Sequence, residues 1–241
     1  HIKQPPTDLF DLVIIDEAHH AAAATWKELI DVFKKTPARL VLLTGTPYRR
    51  DHKSIGPAPR YVYPIGRAIA DGIYAPVAYI TAGTPTADKR DAILVNLGVR
   101  HLKALRRKCT GKPLLLVKTD RTAHADQLEK LYRDEKLNLR VVHSVRDHAE
   151  NAKAIALAED GECDGLIMVG MLGEGLDVPA LKVAVFHRNP QSLPYTLQVI
   201  GRLARAKDEL TEGLVIACAD DFSPDTFKLF EGYEDWLKLF P

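Results

Sequence analysis

A parallel α/β fold is what this 241-residue sequence predicts, and three features predict it. Short apolar runs rich in β-branched residues recur along the chain, and longer stretches with apolar residues at spacings of three and four separate them. The hydrophobic content of 46% is enough for a sizeable core. The strands are expected at Leu12–Ile15, Leu40–Leu43, Leu114–Val117, Leu139–His143, Leu166–Val169, Val183–His187 and Leu214–Cys218. Helices are expected over about Asp88–Lys108 and over Thr122–Glu135, Asp147–Glu159 and Leu193–Ala206, each long enough to cross from one parallel strand to the next.

The stretch from Pro47 to Pro85 contains Pro57, Pro59, Pro64 and Pro76 and reads as a connector with turns and edge structure. A boundary is therefore expected near Gly83–Pro85. This gives a first domain over residues 1–84, a second over 85–221 and a closing C-terminal helix over 222–241. Five strands make the second domain complete, whereas two make the first only partial, so further sequence upstream of His1 is expected.

Composition removes several classes of function. Lysine and arginine number 33 against 32 acidic residues, so any polyanion must be held by a local site and not by a bulk field. The 3 cysteines, Cys109, Cys163 and Cys218, lie more than fifty residues apart and suggest neither a disulfide framework nor a zinc cage. No apolar run approaches the roughly 20 residues of a membrane span, so a soluble, cytoplasmic protein without a membrane partner is expected.

The sharpest local pattern is Leu12-Val13-Ile14-Ile15-Asp16-Glu17-Ala18-His19, an apolar strand that ends in two adjacent carboxylates. At the carboxyl edge of a parallel sheet, where open α/β folds bind ligands, an Asp can hold Mg²⁺ through water and a neighbouring Glu can accept a proton from an attacking water. The same residues also suit an acidic helix N-terminus. His19 and His20 do not add a metal site, since adjacent histidines on a helix point about 100° apart.

Three further segments follow in order. Leu42-Leu43-Thr44-Gly45-Thr46-Pro47 leaves the second strand, and a plain turn would look similar. Gly173-Glu174-Gly175-Leu176-Asp177-Val178-Pro179 follows the strand at Leu166–Val169, where glycines let backbone approach phosphate or simply make a turn. Gln198-Val199-Ile200-Gly201-Arg202-Leu203-Ala204-Arg205 carries two arginines at a spacing of three, expected on one helix face and able to aim at one polyanion, or to be surface charge.

These segments resemble, in order, motifs II, III, V and VI of the superfamily two helicases, with Asp16-Glu17-Ala18-His19 as the DEAH form of motif II. Arg67-Ala68-Ile69-Ala70-Asp71-Gly72 and the wording from Met171 through Ser192-Leu193-Pro194 to Gln198 are similar to the restriction-subunit branch, the type III restriction Res-like proteins. The resemblance implies two RecA-like domains with ATP in the cleft between them and DNA, single-stranded, duplex or branched, ahead of RNA as the track. In that family pattern Asp16 coordinates Mg²⁺, Glu17 activates the water, and His19 couples the nucleotide site to Thr44, Gly45 and Thr46. Arg202 and Arg205 would act as arginine fingers, with Gly175, Asp177 and Gln198 on the nucleotide. Nucleic-acid contacts fall by position on Thr119, Arg121, His143, Ser144, Gly170 and Met171, with Thr46 as a further candidate.

One family element is missing. The lone Gly111-Lys112 is followed by Pro113 and precedes a strand, so it is a turn and not a phosphate-binding G-x-x-x-x-G-K-[ST] loop. The 241 residues are expected to be inactive alone, as part of an ATP-dependent DNA helicase or translocase. An RNA helicase and a non-catalytic nucleic-acid or partner-binding module are the alternatives. No nuclease pattern is present, so a restriction partner domain or subunit would have to supply cleavage.

Overall fold

The computed structural model describes residues 6–18, 24–44, 61, 63, 65–170, 178–188, 193–205 and 212–221. The chain divides into two compact units, His1–Val62 and Tyr63–Pro241.

In the first unit, β1 (Leu12–Ile15) and β2 (Arg39–Leu42) pair in parallel, from Leu12 opposite Arg39 to Ile15 opposite Leu42. Helix α1 (Ala24–Phe33) joins them. Ile15, Ala18 and Ile30 form a small core against which Val13, Leu40 and Leu42 pack. The alternate side chains Leu12, Ile14, Val41 and Leu43 are 39–57% exposed, on the face opposite the one that Ile15 packs with Ala18 and Ile30 among the described residues.

The second unit holds a six-stranded, all-parallel sheet in the order β3-β8-β7-β4-β6-β5. After α2 (Ile65–Ala70) the elements run β3 (Val77–Thr81), α3 (Ala87–Arg106), β4 (Leu114–Thr119), α4 (Thr122–Asp134) and β5 (Leu139–His143). They continue with α5 (His148–Glu159), β6 (Gly165–Val169), β7 (Leu181–Phe186), α6 (Leu193–Leu203) and β8 (Gly213–Ala217). Successive residues of β4 feed opposite cores, since Leu114 and Leu116 join α5 and α6 whereas Leu115 and Val117 join α3 and α4. Coverage on both faces is why β4 and β7 are buried along their whole length. Two glycines set close approaches. A Cβ on Gly98 of α3 would stand 2.8 Å from Val185, and one on Gly165 (φ +152) would stand 1.9 Å from the Leu115 carbonyl oxygen.

The five-strand sheet expected for the second domain needs correction. Val77–Thr81 is a sixth strand, paired with β8 from Val77 opposite Gly213 to Thr81 opposite Ala217. The prolines do not exclude this strand because it lies on the sheet edge, and Pro76 contributes its carbonyl to the amide of Gly213 at 2.9 Å. The expected helix over 222–241 lies outside the described residues.

Candidate functional site

At the exit of β1 the chain turns sharply. Glu17 adopts φ 49, a left-handed conformation uncommon for a non-glycine residue, and the Asp16 Oδ1 accepts its amide at 2.8 Å. The next amide, Ala18, donates to the carbonyl of Leu43 at 2.9 Å, while the amide of Leu43 donates to Ile15 at 2.8 Å. Motif II and the start of motif III are thereby tied at one edge of the sheet, with Ala18 fully buried and both Asp16 and Glu17 exposed. Thr44 follows directly and is half-buried. Two exposed carboxylates at a strand end form a hard-oxygen donor set that suits Mg²⁺. His19, Gly45 and Thr46 lie outside the described residues.

In the second unit the candidate residues separate onto the two edges of the sheet. Because α6 runs back between the parallel strands β7 and β8, its C-terminal end lies at their amino edge, and there Arg202 and Arg205 sit. The expectation that these arginines share a helix face is not met. Helix α6 ends at Leu203, and Arg205 forms an antiparallel bridge with Tyr74 beside the hydrogen bond from Ala75 to the Ala204 carbonyl, 2.6 Å. Arg202 and Gln198 are half-buried and Arg205 is exposed. Gly175 and Asp177 lie outside the described residues.

The carboxyl edge collects the nucleic-acid candidates. The Arg121 side chain, before α4, is 82% exposed beside Asp120 at 3.7 Å, and Ser144 after β5 is exposed. His143 is held by reciprocal bonds between its backbone and the Asn151 amide, 3.3 and 2.9 Å, and its buried Nδ1 has no hydrogen-bond partner among the described residues. Gly170 leaves β6 with φ +76, open space where a Cβ would be, and a carbonyl that accepts from Lys118 Nζ. Burial pushes the Lys118 ammonium down to about 8. Met171 lies outside the described residues. Thr119 does not belong on this surface: it is 1% exposed, and its hydroxyl meets His124 Nδ1 at 2.7 Å. Its odd register in β4 turns it under α4.

That contact opens a buried chain which sequence reasoning missed. Asp91 on α3 receives His124 Nε2 and His187 Nδ1 on its two oxygens, each at 2.8 Å, and Tyr132 meets His187 Nε2 at 3.1 Å. With Thr119 and Tyr132 donating to the rings and both rings donating to Asp91, neutral tautomers satisfy every group. Burial opposes the charge on Asp91, but the bonds from His187 and His124 outweigh it and hold the carboxyl far below its ordinary range. Burial also pushes His187 down, against the pull of Asp91, so the ring is neutral. The three ligand-type groups lie within 4.8 Å of one another, a spacing a metal could use, yet each ring nitrogen already has a protein partner. Arg90 pairs with Asp221 and donates to the His187 carbonyl at 3.3 Å, which fixes α3 to the exits of β7 and β8.

The rejected Gly111-Lys112 segment forms the turn before β4, with Lys112 Nζ on the Gly161 carbonyl at 2.6 Å. The three cysteines are free thiols. No helix among the described residues is long and apolar enough to cross a membrane.

Residues 83–207, more than half of the chain, match the helicase conserved C-terminal domain, and residues 1–49 match the type III restriction enzyme res subunit. The chain therefore belongs to the helicases that carry the helicase conserved C-terminal domain, and its first 49 residues are similar to the restriction res subunit. It is similar to the uncharacterized protein Rv2917 of Mycobacterium tuberculosis, 27% identical over 81% of this chain and 40% of that protein. It is also similar to UvrABC system protein B of Vibrio parahaemolyticus, 26% identical over 95% of this chain and 36% of that protein. The chain thus spans well under half the length of either relative. Among solved structures, helicase Lhr of Mycobacterium smegmatis, bound to ssDNA and AMP-PNP, shares the fold with a TM-score of 0.58 at 17% identity, covering 92% of this chain and 31% of that one.

Proposed function

We propose that the chain is the motor portion of an ATP-dependent DNA helicase or translocase, carrying motifs II to VI. The observation that carries this reading is the tie of Ala18 and Ile15 to Leu43, which holds exposed Asp16 and Glu17 beside the start of motif III. Asp16 would hold Mg²⁺ through water and Glu17, aimed by its left-handed turn, would take the proton of the attacking water. When bound, Mg²⁺ and ATP supply the phosphoryl group and neutralise its charge. His19, Thr44, Gly45 and Thr46 couple that site to the track, with Gly175, Asp177 and Gln198 on the nucleotide. Arg202 and Arg205 neutralise developing phosphate charge, an effect worth about 10³-fold or more in rate.

The carboxyl edge of the second unit takes the sugar-phosphate backbone, with Arg121, Ser144, His143, Gly170 and Met171 as contacts. DNA is favoured over RNA by the type III restriction res match. Cleavage, in a restriction setting, comes from a nuclease domain or subunit. The free cysteines fit work in a reducing cytoplasm. No G-x-x-x-x-G-K-[ST] loop occurs in these 241 residues, so by themselves they do not turn over ATP.

The test is steady-state ATP hydrolysis by the intact protein with single-stranded DNA, duplex DNA or RNA at one salt concentration. Stimulation by DNA is expected. Stimulation by RNA alone would reassign the track, and no hydrolysis with any polymer would leave a non-catalytic binding module.

A further inference from the structure

The last turn of α6 ends on a buried ammonium. Between Leu114 and Leu115 of β4 the partner in β7 jumps from Leu181 to Val183, so Lys182 is the extra residue of a bulge. Bulges re-aim side chains, and this one sends Lys182 under α6. The residue is 0% exposed, and its Nζ donates to the carbonyl of Leu203 at 3.1 Å and to that of Arg205. The intervening carbonyl, Ala204, takes the amide of Ala75 at 2.6 Å. Three successive carbonyls at the helix exit are thus each held from outside the helix.

An ammonium inside a protein is costly unless something compensates it. Among the described residues no carboxylate pairs with Lys182. Its compensation is the negative end of the α6 dipole and the two carbonyls, which a helix end otherwise leaves to water or lets fray. The backbone it fixes is the one from which the Arg202 and Arg205 side chains depart.

We propose that Lys182 is a positioning residue for motif VI, setting the direction in which Arg202 and Arg205 leave the end of α6. The inference rests on the reading of these arginines as part of an ATPase. Positioning of groups that act only in the transition state affects kcat more than KM.

A double-mutant cycle on the intact protein tests this. Lys182→Met is expected to lower kcat roughly tenfold or more with a smaller change in the KM for ATP, and Arg205→Ala to lower it further. The double variant is expected to lose clearly less than the product of the two single losses, since the part of the Lys182→Met loss that acts through Arg205 is already gone while the part that acts through Arg202 remains. A merely structural lysine predicts multiplying losses instead. Multiplying losses, or a Lys182→Met kcat within about twofold of the parent, overturn the proposal while the ATPase reading stands. If Arg205→Ala and Arg202→Ala both leave kcat intact, the reading of motif VI fails and the positioning role fails with it. Lys182→Gln, which keeps an N–H donor near the carbonyls, replaces Lys182→Met in the cycle if the latter does not fold.

Discussion

The amide of Ala18 and the carbonyl of Leu43 lie 2.9 Å apart, which joins two segments that are 25 residues apart in the chain (43 minus 18). Because Leu43 also donates back to Ile15, the carboxylates after β1 cannot move without moving the backbone that leads into Thr44. In a motor this is the kind of contact that passes a change at the nucleotide to the rest of the domain.

Gly165 tests the packing of the sheet. With φ +152 and the Leu115 carbonyl oxygen 1.9 Å from where a Cβ would be, Gly165→Ala must displace backbone in two central strands. A loss of more than about 3 kcal/mol is expected, read as a fall in Tm or as failure to fold. A change within about 0.5 kcal/mol would contradict the described register.

Asp91 tests the buried chain. Asp91→Asn puts an N–H₂ against one of two imidazole N–H groups and leaves a buried donor unpaired, at a cost of about 1–3 kcal/mol. That corresponds to roughly 2–4 °C in Tm for each kcal/mol. Thermal melts of variant and parent at neutral pH measure it.

The same residues predict acid lability. His187 is held neutral in the folded state, so below its ordinary value of 6.5 the unfolded chain takes up a proton that the folded chain does not. Stability therefore falls as pH drops through 6.5. Asp91, held low, adds a second loss in the same direction below 3.8. His187→Gln should remove part of the upper loss, measurable as the slope of unfolding free energy against pH.

Buried lysines act at the other end of the scale. Burial pushes Lys182 from 10.5 down to about 8, so between those values the unfolded chain binds the extra proton and stability rises with pH. Lys118, shifted likewise to about 8, contributes in the same sense. Denaturant melts from pH 8 to 10 should show the rise, and Lys182→Met should flatten it.

Much of this was legible because parallel strands buried on both faces are continuous apolar runs. Leu12–Ile15 and Leu139–His143 have the bounds their sequences predict. The resemblance to motifs II, III, V and VI was legible as short local patterns. What escaped was non-local or hidden by local punctuation. Val77–Thr81 is a β-branched and aromatic run between prolines, and only its edge position reconciles the two. Asp91, His124 and His187 are separated by 33 and 63 residues (124 minus 91, 187 minus 124), so no spacing rule gathers them. Lys182 did leave a signal, a charge inside the apolar run Leu181–Phe186, where no solvated face exists to receive it. The departure of Arg205 from the helix depends on Tyr74, Ala75 and Lys182, none of them near it in sequence.

The most direct test of the motor reading is ATP turnover by the intact protein carrying Glu17→Gln, with DNA present and nucleotide affinity measured in parallel. The account predicts a loss in kcat of about 10²-fold or more, as for removal of a general base, with nucleotide affinity nearly unchanged. Turnover equal to the parent would contradict it.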